Sequence, residues 1–337
     1  MTSINKKKIT WLLLLQGWTM LWVVIGHSPL SISTTASVFD VNCSECAHFL
    51  FNMAYSFHMP LFIMISGYLF FITRINKDIS YKKTLFDKFV RLGIPYVFFI
   101  GLAFFVKYYV GGVQRPVSLS AESFFQAFVW PFDGPLQEMW FIAAILICFS
   151  LLGFYRRIMG VKYLPEICLC CTVGLFFIPV DSMSGVFAFN RAVHFFLFFF
   201  VGILLAAKDL TKILNRTSCI VIFALLYIVS YPMRGGEFYS LISSLSGCFL
   251  FWGLAHKLDE IISQSIFNSF RNYTYQIFLL GIFIQIGVKI IYNKLDLPNT
   301  YLIFFMLCVI CGLYIPVLIS KLFQRINNKF LNRLIGL

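Results

Sequence analysis

Ten separate stretches of 15 to 25 mostly apolar residues run through this chain, and nothing else constrains its fold as strongly. They lie at 9–28, 49–73, 92–110, 139–155, 164–180, 192–207, 217–231, 239–255, 273–292 and 300–320. A helix crossing a bilayer needs about 20 such residues. The stretches are too long and too continuously apolar for the alternating strands of a membrane barrel. With 60% hydrophobic and only 12% charged residues, the 337-residue chain falls outside soluble enzymes, disordered chains and disulfide-framed secreted modules. The fold expected is an all-α polytopic membrane helix bundle of about ten transmembrane helices.

Basic residues set the orientation, because they collect on the cytoplasmic side. With the N-terminus inside, the inner segments hold Lys6–Lys8, Arg74, Lys77, Lys82, Lys83, Lys88, Arg91, Arg156, Arg157, Lys162, Lys208, Lys212, Arg216, Lys257, Arg271, Lys321, Arg325, Lys329 and Arg333. The outer segments hold only Lys107, Arg115, Arg191, Arg234, Lys289 and Lys294. The bias repeats at every inner loop, so both termini are expected in the cytoplasm. It also explains the net charge of +13 without nucleic acid as a partner.

The first span is too long for the apolar run of a signal peptide, and no small-residue cleavage site follows it, so it is expected to remain. Most of the ten cysteines fall inside spans, where they pack as small apolar groups. Cys43 and Cys46 share the first outer loop and are candidates for a small disulfide; two cysteines alone make no zinc site, and no metal is expected. No linker or internal repeat divides the chain, which is expected to form a single membrane domain over residues 1–337.

Polar groups at membrane depth are costly and therefore mark function. In WLLLLQGWTMLWVVIGHS (11–28), His27 lies about 27 Å along the helix from Ile9, near the outer boundary. Gln16 precedes it by about three turns and shares its face. In YSFHMPLFIMISGYLFF (55–71), His58 lies in the outer half beside Pro60, a kink-former, while Ser66-Gly67 offers a close-packing seam. Each histidine alone also reads as a packed or boundary residue; two in consecutive outer halves point to a shared site. SYKKTLFDKFVRLGIPYVFF (80–99) pairs an apolar stripe of Leu85, Phe86, Phe89 and Val90 with Lys82, Lys83, Lys88 and Arg91. This is either a surface helix or a patch for a phosphate-bearing donor. At the outer face stand Asp133, Glu138 and Trp140, the last read most simply as an interfacial belt residue. Arg191 and His194 lie three apart on one helical face, with Arg191 a boundary charge or an anion clamp.

The stretches VVIGHS (23–28), FHMPLFIMISGYLF (57–70), FVRLGIPY (89–96), MWFIAAIL (139–146) and FFLFFFVGILL (195–205) resemble the acyltransferase 3 family over most of the chain. These are bacterial membrane enzymes that O-acylate surface glycans, and the resemblance is strongest to the fucose 4-O-acetylase-like branch with its exopolysaccharide and capsule O-acetyltransferases. The resemblance implies an O-acyltransferase, most simply an O-acetyltransferase, in the bacterial plasma membrane. Its donor is cytoplasmic acetyl-CoA or another acyl-CoA, with no permanently bound cofactor. Its acceptor is a hydroxyl of a surface polysaccharide or of a lipid-linked precursor, met among membrane lipids. The family pattern has a basic residue where Gln16 stands, an acidic one at Leu13 and often a histidine at Gly281.

On this reading His27 is the general base, since imidazole titrates near neutrality. His58 orients the acyl carbonyl or shares the proton. Arg91, Lys83 and Lys88 hold the phosphates of the donor, and Gln16 lies on the inward route of its acyl arm. Trp140, Glu138, Arg191 and His194 are the remaining candidates for substrate contact. The rings of His27 and His58 are expected to converge on one cavity leading to a cationic mouth at the opposite leaflet. No GxSxG elbow or HxxxxD pair is present. Alternatives are a polysaccharide exporter or transporter, or a non-catalytic partner of a polysaccharide synthase within the polysaccharide-synthesis machinery.

Overall fold

The computed structural model describes residues 3–30, 41–110, 115–262, 267–295 and 301–337. These residues form helices and no strand. In chain order the helices are α1 (Ser3–Leu30), α2 (Val41–Phe70), α3 (Tyr81–Lys88), α4 (Ile94–Val110), α5 (Ala121–Val129), α6 (Trp140–Ser150), α7 (Leu152–Met159), α8 (Leu164–Phe176) and α9 (Phe189–His194). They continue with α10 (Phe196–Ala207), α11 (Thr211–Leu214), α12 (Thr217–Ser230), α13 (Glu237–Ile262), α14 (Phe267–Phe270), α15 (Thr274–Lys294), α16 (Tyr301–Ile326) and α17 (Lys329–Leu334).

Among the described residues, each of the ten apolar stretches falls mostly on helix. Six helical runs among the described residues are long and apolar enough to cross a membrane: Thr10–Ser28, Phe49–Ile75, Tyr81–Tyr109, Glu237–Asp259, Phe267–Tyr292 and Leu302–Ile326. Two more arise if α6–α7, bent by 49°, and the run ending in α9–α10, bent by 59°, each count as one span. The remaining two stretches are α8 and α12, of 13 and 14 residues. At 1.5 Å per residue each is about 20 Å long, short of a hydrocarbon core of about 30 Å. The family of apolar helices makes this an integral membrane protein.

The chain packs into two compact units, each built from separated stretches: residues 1–62 with 211–328, and residues 63–210 with 329–337. In the first unit α1 lies against α13, α15 and α16. Met20, Val23 and Val24 of α1 bury against Phe270, Ile277, Leu313 and Val317. Trp22, Phe57 and Phe251 form an aromatic joint, with the Phe57 and Phe251 rings stacked at 4.3 Å.

Pro60 sits inside α2 and has no N–H, so the carbonyl four residues earlier loses its helical donor. That carbonyl is Ser56, and Ser244 of α13 donates its hydroxyl to it at 2.7 Å. The Cys248 thiol approaches the Phe57 carbonyl at 3.7 Å. A neighbouring helix thus supplies what proline removes, as helices in lipid require.

In the second unit, the stretch 63–70 of α2 meets α10 backbone to backbone. A methyl at Gly67 would collide with the Phe199 carbonyl, and one at Gly202 with the Met64 carbonyl. The small-residue seam expected at Ser66-Gly67 is therefore real, and Gly202 is its reciprocal. Around it Phe70, Phe149, Tyr155 and Phe199 form a buried aromatic core.

Candidate functional site

In the first unit, Gly26 lets α2 approach α1. A Cβ at that position would stand 3.1 Å from Ala54 Cβ and 3.5 Å from the Tyr55 ring. The next residue on α1 is His27, and the Tyr55 hydroxyl lies 3.4 Å from its Nδ1 and 3.5 Å from its Nε2. Tyr55 also turns its ring edge-on to His58, with centroids 4.5 Å apart. The two histidines are therefore brought together through one phenol. They flank Tyr55 from different helices, His27 half-buried and His58 with no exposure.

His58 Nδ1 lies 2.5 Å from the Ala54 carbonyl. A carbonyl only accepts, so Nδ1 carries a proton, and in the neutral ring Nε2 keeps its lone pair. Nε2 is buried with no hydrogen-bond partner among the described residues. A buried acceptor without a donor is costly, and a hydroxyl brought beside it would satisfy it.

The end of α1 that carries His27 is pinned by a polar joint. Gln285 of α15, 1% exposed, donates its amide to the Val24 carbonyl at 2.9 Å and to Ser28 Oγ at 3.0 Å. Ser28 donates its hydroxyl to the same carbonyl at 2.8 Å. Gly312 of α16 makes room for this amide, since a Cβ there would stand 3.1 Å from Gln285 Cγ. Ser56 and the Tyr227 hydroxyl, 2.8 Å apart, extend the polar lining. Tyr55 and Gln285 were not singled out from sequence, although signals existed: Tyr55 precedes His58 by three residues, and Gln285 interrupts an apolar span.

Gln16 is half-buried on α1. Beside it, Gly17 admits Arg271, whose Cβ would be 2.9 Å from a Cβ at that glycine. Arg271 Nη1 is buried without a partner among the described residues. At the same end of the helix His256 stacks on Trp11 at 3.8 Å, and Thr10 donates to Asp259 at 2.8 Å. Gly281 lies against Gly312, and a Cβ at Gly281 would stand 3.4 Å from the Gly312 carbonyl.

The second unit holds the other candidates. Lys83 and Arg91 are exposed. Arg91 sits in a π-helical turn, Phe89–Gly93, that matches another at Phe71–Ile75. Lys88 is half-buried, its ammonium 3.8 Å above the Phe149 ring, a cation–π contact. The loop between the turns is held by the Arg74–Asp87 ion pair at 2.7 Å and by Arg156, which donates to the Ile79 carbonyl at 2.7 Å.

Trp140 is 8% exposed and stacks on Phe195 at 5.5 Å. It is a core residue, not the belt residue its position in the sequence suggested, because the bent α9–α10 run supplies Phe195 to cover it. The Arg191 guanidinium lies 3.3 Å above the Phe132 ring and 5.3 Å from Trp140. His194 stacks on Phe176 at 4.3 Å. Glu138 lies in the turn Gln137–Met139 and is half-buried. Phe187 and Ala188, at φ of 48° and 56°, hold left-handed backbone just before α9, a strain of the kind found where a chain is forced into a functional shape.

The side chains of Cys43 and Cys46 lie outside the described residues. Eight other cysteines are free thiols. No group of three or more His, Cys, Asp or Glu suited to a metal occurs among the described residues.

No curated protein and no solved structure matches this chain. A family model does: that of the acyltransferase 3 acyltransferase domain, which matches residues 9–321. That match runs from the first span to the last and takes in His27, Tyr55 and His58 as well as Arg91 and Arg191, so the chain belongs to the acyltransferase 3 family.

Proposed function

We propose that the chain is an O-acyltransferase, most simply an O-acetyltransferase. It takes the acyl group of a cytoplasmic acyl-CoA and esterifies a hydroxyl of a cell-surface polysaccharide or its lipid-linked precursor. The proposed setting is the bacterial inner membrane, with about ten spans, both termini inside, and the exopolysaccharide, capsule and O-antigen acetylases of the fucose 4-O-acetylase-like branch as its kind. The observation that supports it most is two imidazoles placed on one tyrosine, one of them with a buried, unpartnered ring nitrogen.

In this reading the acceptor hydroxyl gives its proton to His27 as its oxygen attacks the thioester carbonyl carbon. The new C–O bond forms, the C–S bond breaks, and the thiolate of CoA leaves with the proton that His27 held. The Tyr55 hydroxyl orients the His27 ring. His58 Nε2 accepts a hydrogen bond from a second hydroxyl of the acceptor. General acid–base help of this kind contributes about 10²–10⁴ in rate. Arg91 and Lys83, exposed on the inner hairpin, take the donor phosphates. Lys88, engaged by Phe149, stiffens that hairpin.

The test is direct. Purified protein in lipid nanodiscs is given acetyl-CoA labelled in the acetyl group and a deacetylated surface polysaccharide. Labelled, base-labile ester on the glycan is the expected result. Thioester consumption equal to that of empty nanodiscs, with no ester formed from any acyl-CoA tried, overturns the reading.

A further inference from the structure

The loop after α4 carries a feature that the histidine site does not use. An open groove of about 430 Å³ is lined by Arg115, Ser123, Gln126, Trp130, Asp133 and Gly134. That volume lies in the range of small-molecule sites, about 300–1,000 Å³. The groove belongs wholly to the second unit, and the distribution of basic residues assigns its loop to the outer face.

Its walls are built. Ser120 caps α5 by accepting the Ser123 backbone N–H at 3.1 Å, which fixes the start of the helix bearing Ser123 and Gln126. Tyr96 of α4 donates to the Phe128 carbonyl at 2.5 Å and anchors the other end. Arg115 donates to the Phe132 carbonyl and, at 2.7 Å, to Gln137 Oε1. Its guanidinium therefore ties down the Asp133 turn. Gly134 tucks that turn under the helix, where a Cβ would stand 3.0 Å from the Ala127 carbonyl. What meets a ligand is one broad ring with Pro116, Val117 and Pro135 beside it, and the three polar groups of Ser123, Gln126 and Asp133. Trp130 is 38% exposed, and Gln126 and Asp133 are exposed beside it.

The chemistry of that set selects its ligand. An acyl chain would leave the amide, the carboxylate and the hydroxyl facing hydrocarbon, a cost of about 1–3 kcal/mol for each unpaired group. A phosphate would face the Asp133 carboxylate, and the one cation of the lining, Arg115, is already bonded to the Phe132 carbonyl and Gln137. A neutral sugar ring meets every requirement. Its C–H face covers the indole, and each of its hydroxyls both donates and accepts. Asp133 accepts only, while Ser123 and Gln126 do both. The Gln126 amide N–H is bonded to Glu122 at 3.0 Å, which leaves its carbonyl oxygen to accept from a sugar hydroxyl.

We infer that this groove is a carbohydrate-binding subsite that captures a neutral glycan by stacking on Trp130 and hydrogen bonding to Asp133 and Gln126. Naming the glycan as the acceptor rests on the transferase reading above; the binding itself does not.

Full-length protein in nanodiscs is titrated with neutral oligosaccharides of hexose and 6-deoxyhexose units, and binding is read by saturation-transfer NMR. At least one oligosaccharide binds saturably. Trp130→Ala weakens it tenfold or more, Trp130→Phe restores part of the loss, and Asp133→Asn weakens it severalfold. Thermal unfolding of each variant shows that the fold is kept. No saturable binding by any member of the panel overturns the inference, as does equal affinity in the wild type and a folded Trp130→Ala variant. Preference for an unglycosylated peptide over every sugar overturns it too. Saturable, Trp130-dependent binding without any ester formation keeps the groove and removes the transferase reading. Ester formation without saturable binding does the reverse.

Discussion

The two units place their polar chemistry on different kinds of backbone. The first is made of long, regular helices: α1 with 28 residues, α13 with 26, α15 with 21 and α16 with 26. Its imidazole at 27 stands on one of them, and that at 58 on α2, two residues before Pro60. The second unit is irregular. It contains both bent helix pairs and both π-helical turns. Asp78, Arg115, Tyr163, Phe187, Ala188 and Asp209 are there in left-handed backbone, against Asn327 in the first. The ion pairs Arg74–Asp87, Arg156–Asp78 and Lys208–Glu166 also lie in it. Regular helix holds a side chain to a narrow range of positions, which suits proton transfer. Broken helix and tight turns re-aim side chains and expose backbone, which suits holding large polar ligands.

Substitutions can break this contrast or sharpen it. The largest effect is expected at His27. His27→Ala lowers acyl transfer by about 10²–10⁴ while the protein still inserts at wild-type levels. Transfer rate at matched protein amount checks this, and equal loss on Arg91→Ala would erase the division of labour.

Next comes the glycine seam of the second unit. Gly67→Ala sets a methyl against the Phe199 carbonyl and is expected to cost about 1–3 kcal/mol or to abolish folding. Gly281→Ala in the first unit meets only ordinary contact at 3.4 Å and is expected to be tolerated. Thermal unfolding in detergent compares the two.

A smaller loss is expected from Gln285→Leu, which removes two hydrogen bonds to α1 at about 1 kcal/mol each. Because Ser28 still serves the Val24 carbonyl, this variant folds, and its transfer rate falls through a less fixed His27. The smallest is Lys88→Met. It gives up a cation–π contact of about 0.5–1 kcal/mol and raises KM for the acyl-CoA with kcat little changed.

The helical membrane character was legible because apolar length is a property of the chain itself. Among the described residues all ten stretches fall mostly on helix, and Gly67 was recognisable as a seam. The bends were harder to read. Phe195 and Leu151, where the helices break, are ordinary helix-formers, and the breaks follow from packing. For the same reason Trp140 was misjudged: whether an indole faces lipid or a neighbour depends on Phe195, which a long stretch of sequence separates from it. His27 and His58 stood out as polar residues in apolar spans. Tyr55 did not, because an aromatic residue in an apolar helix carries no signal until its hydroxyl is seen beside a ring nitrogen.

The central claim is that the imidazole on α1 carries out ester formation on a glycan. Cells lacking the protein are supplied with wild type or His27→Ala at equal membrane levels, and their surface polysaccharide is examined by proton NMR. The account predicts an O-acetyl, or other O-acyl, signal restored by the wild type and missing with His27→Ala. An ester signal of equal strength in both, or one that persists in the deletion, would contradict it.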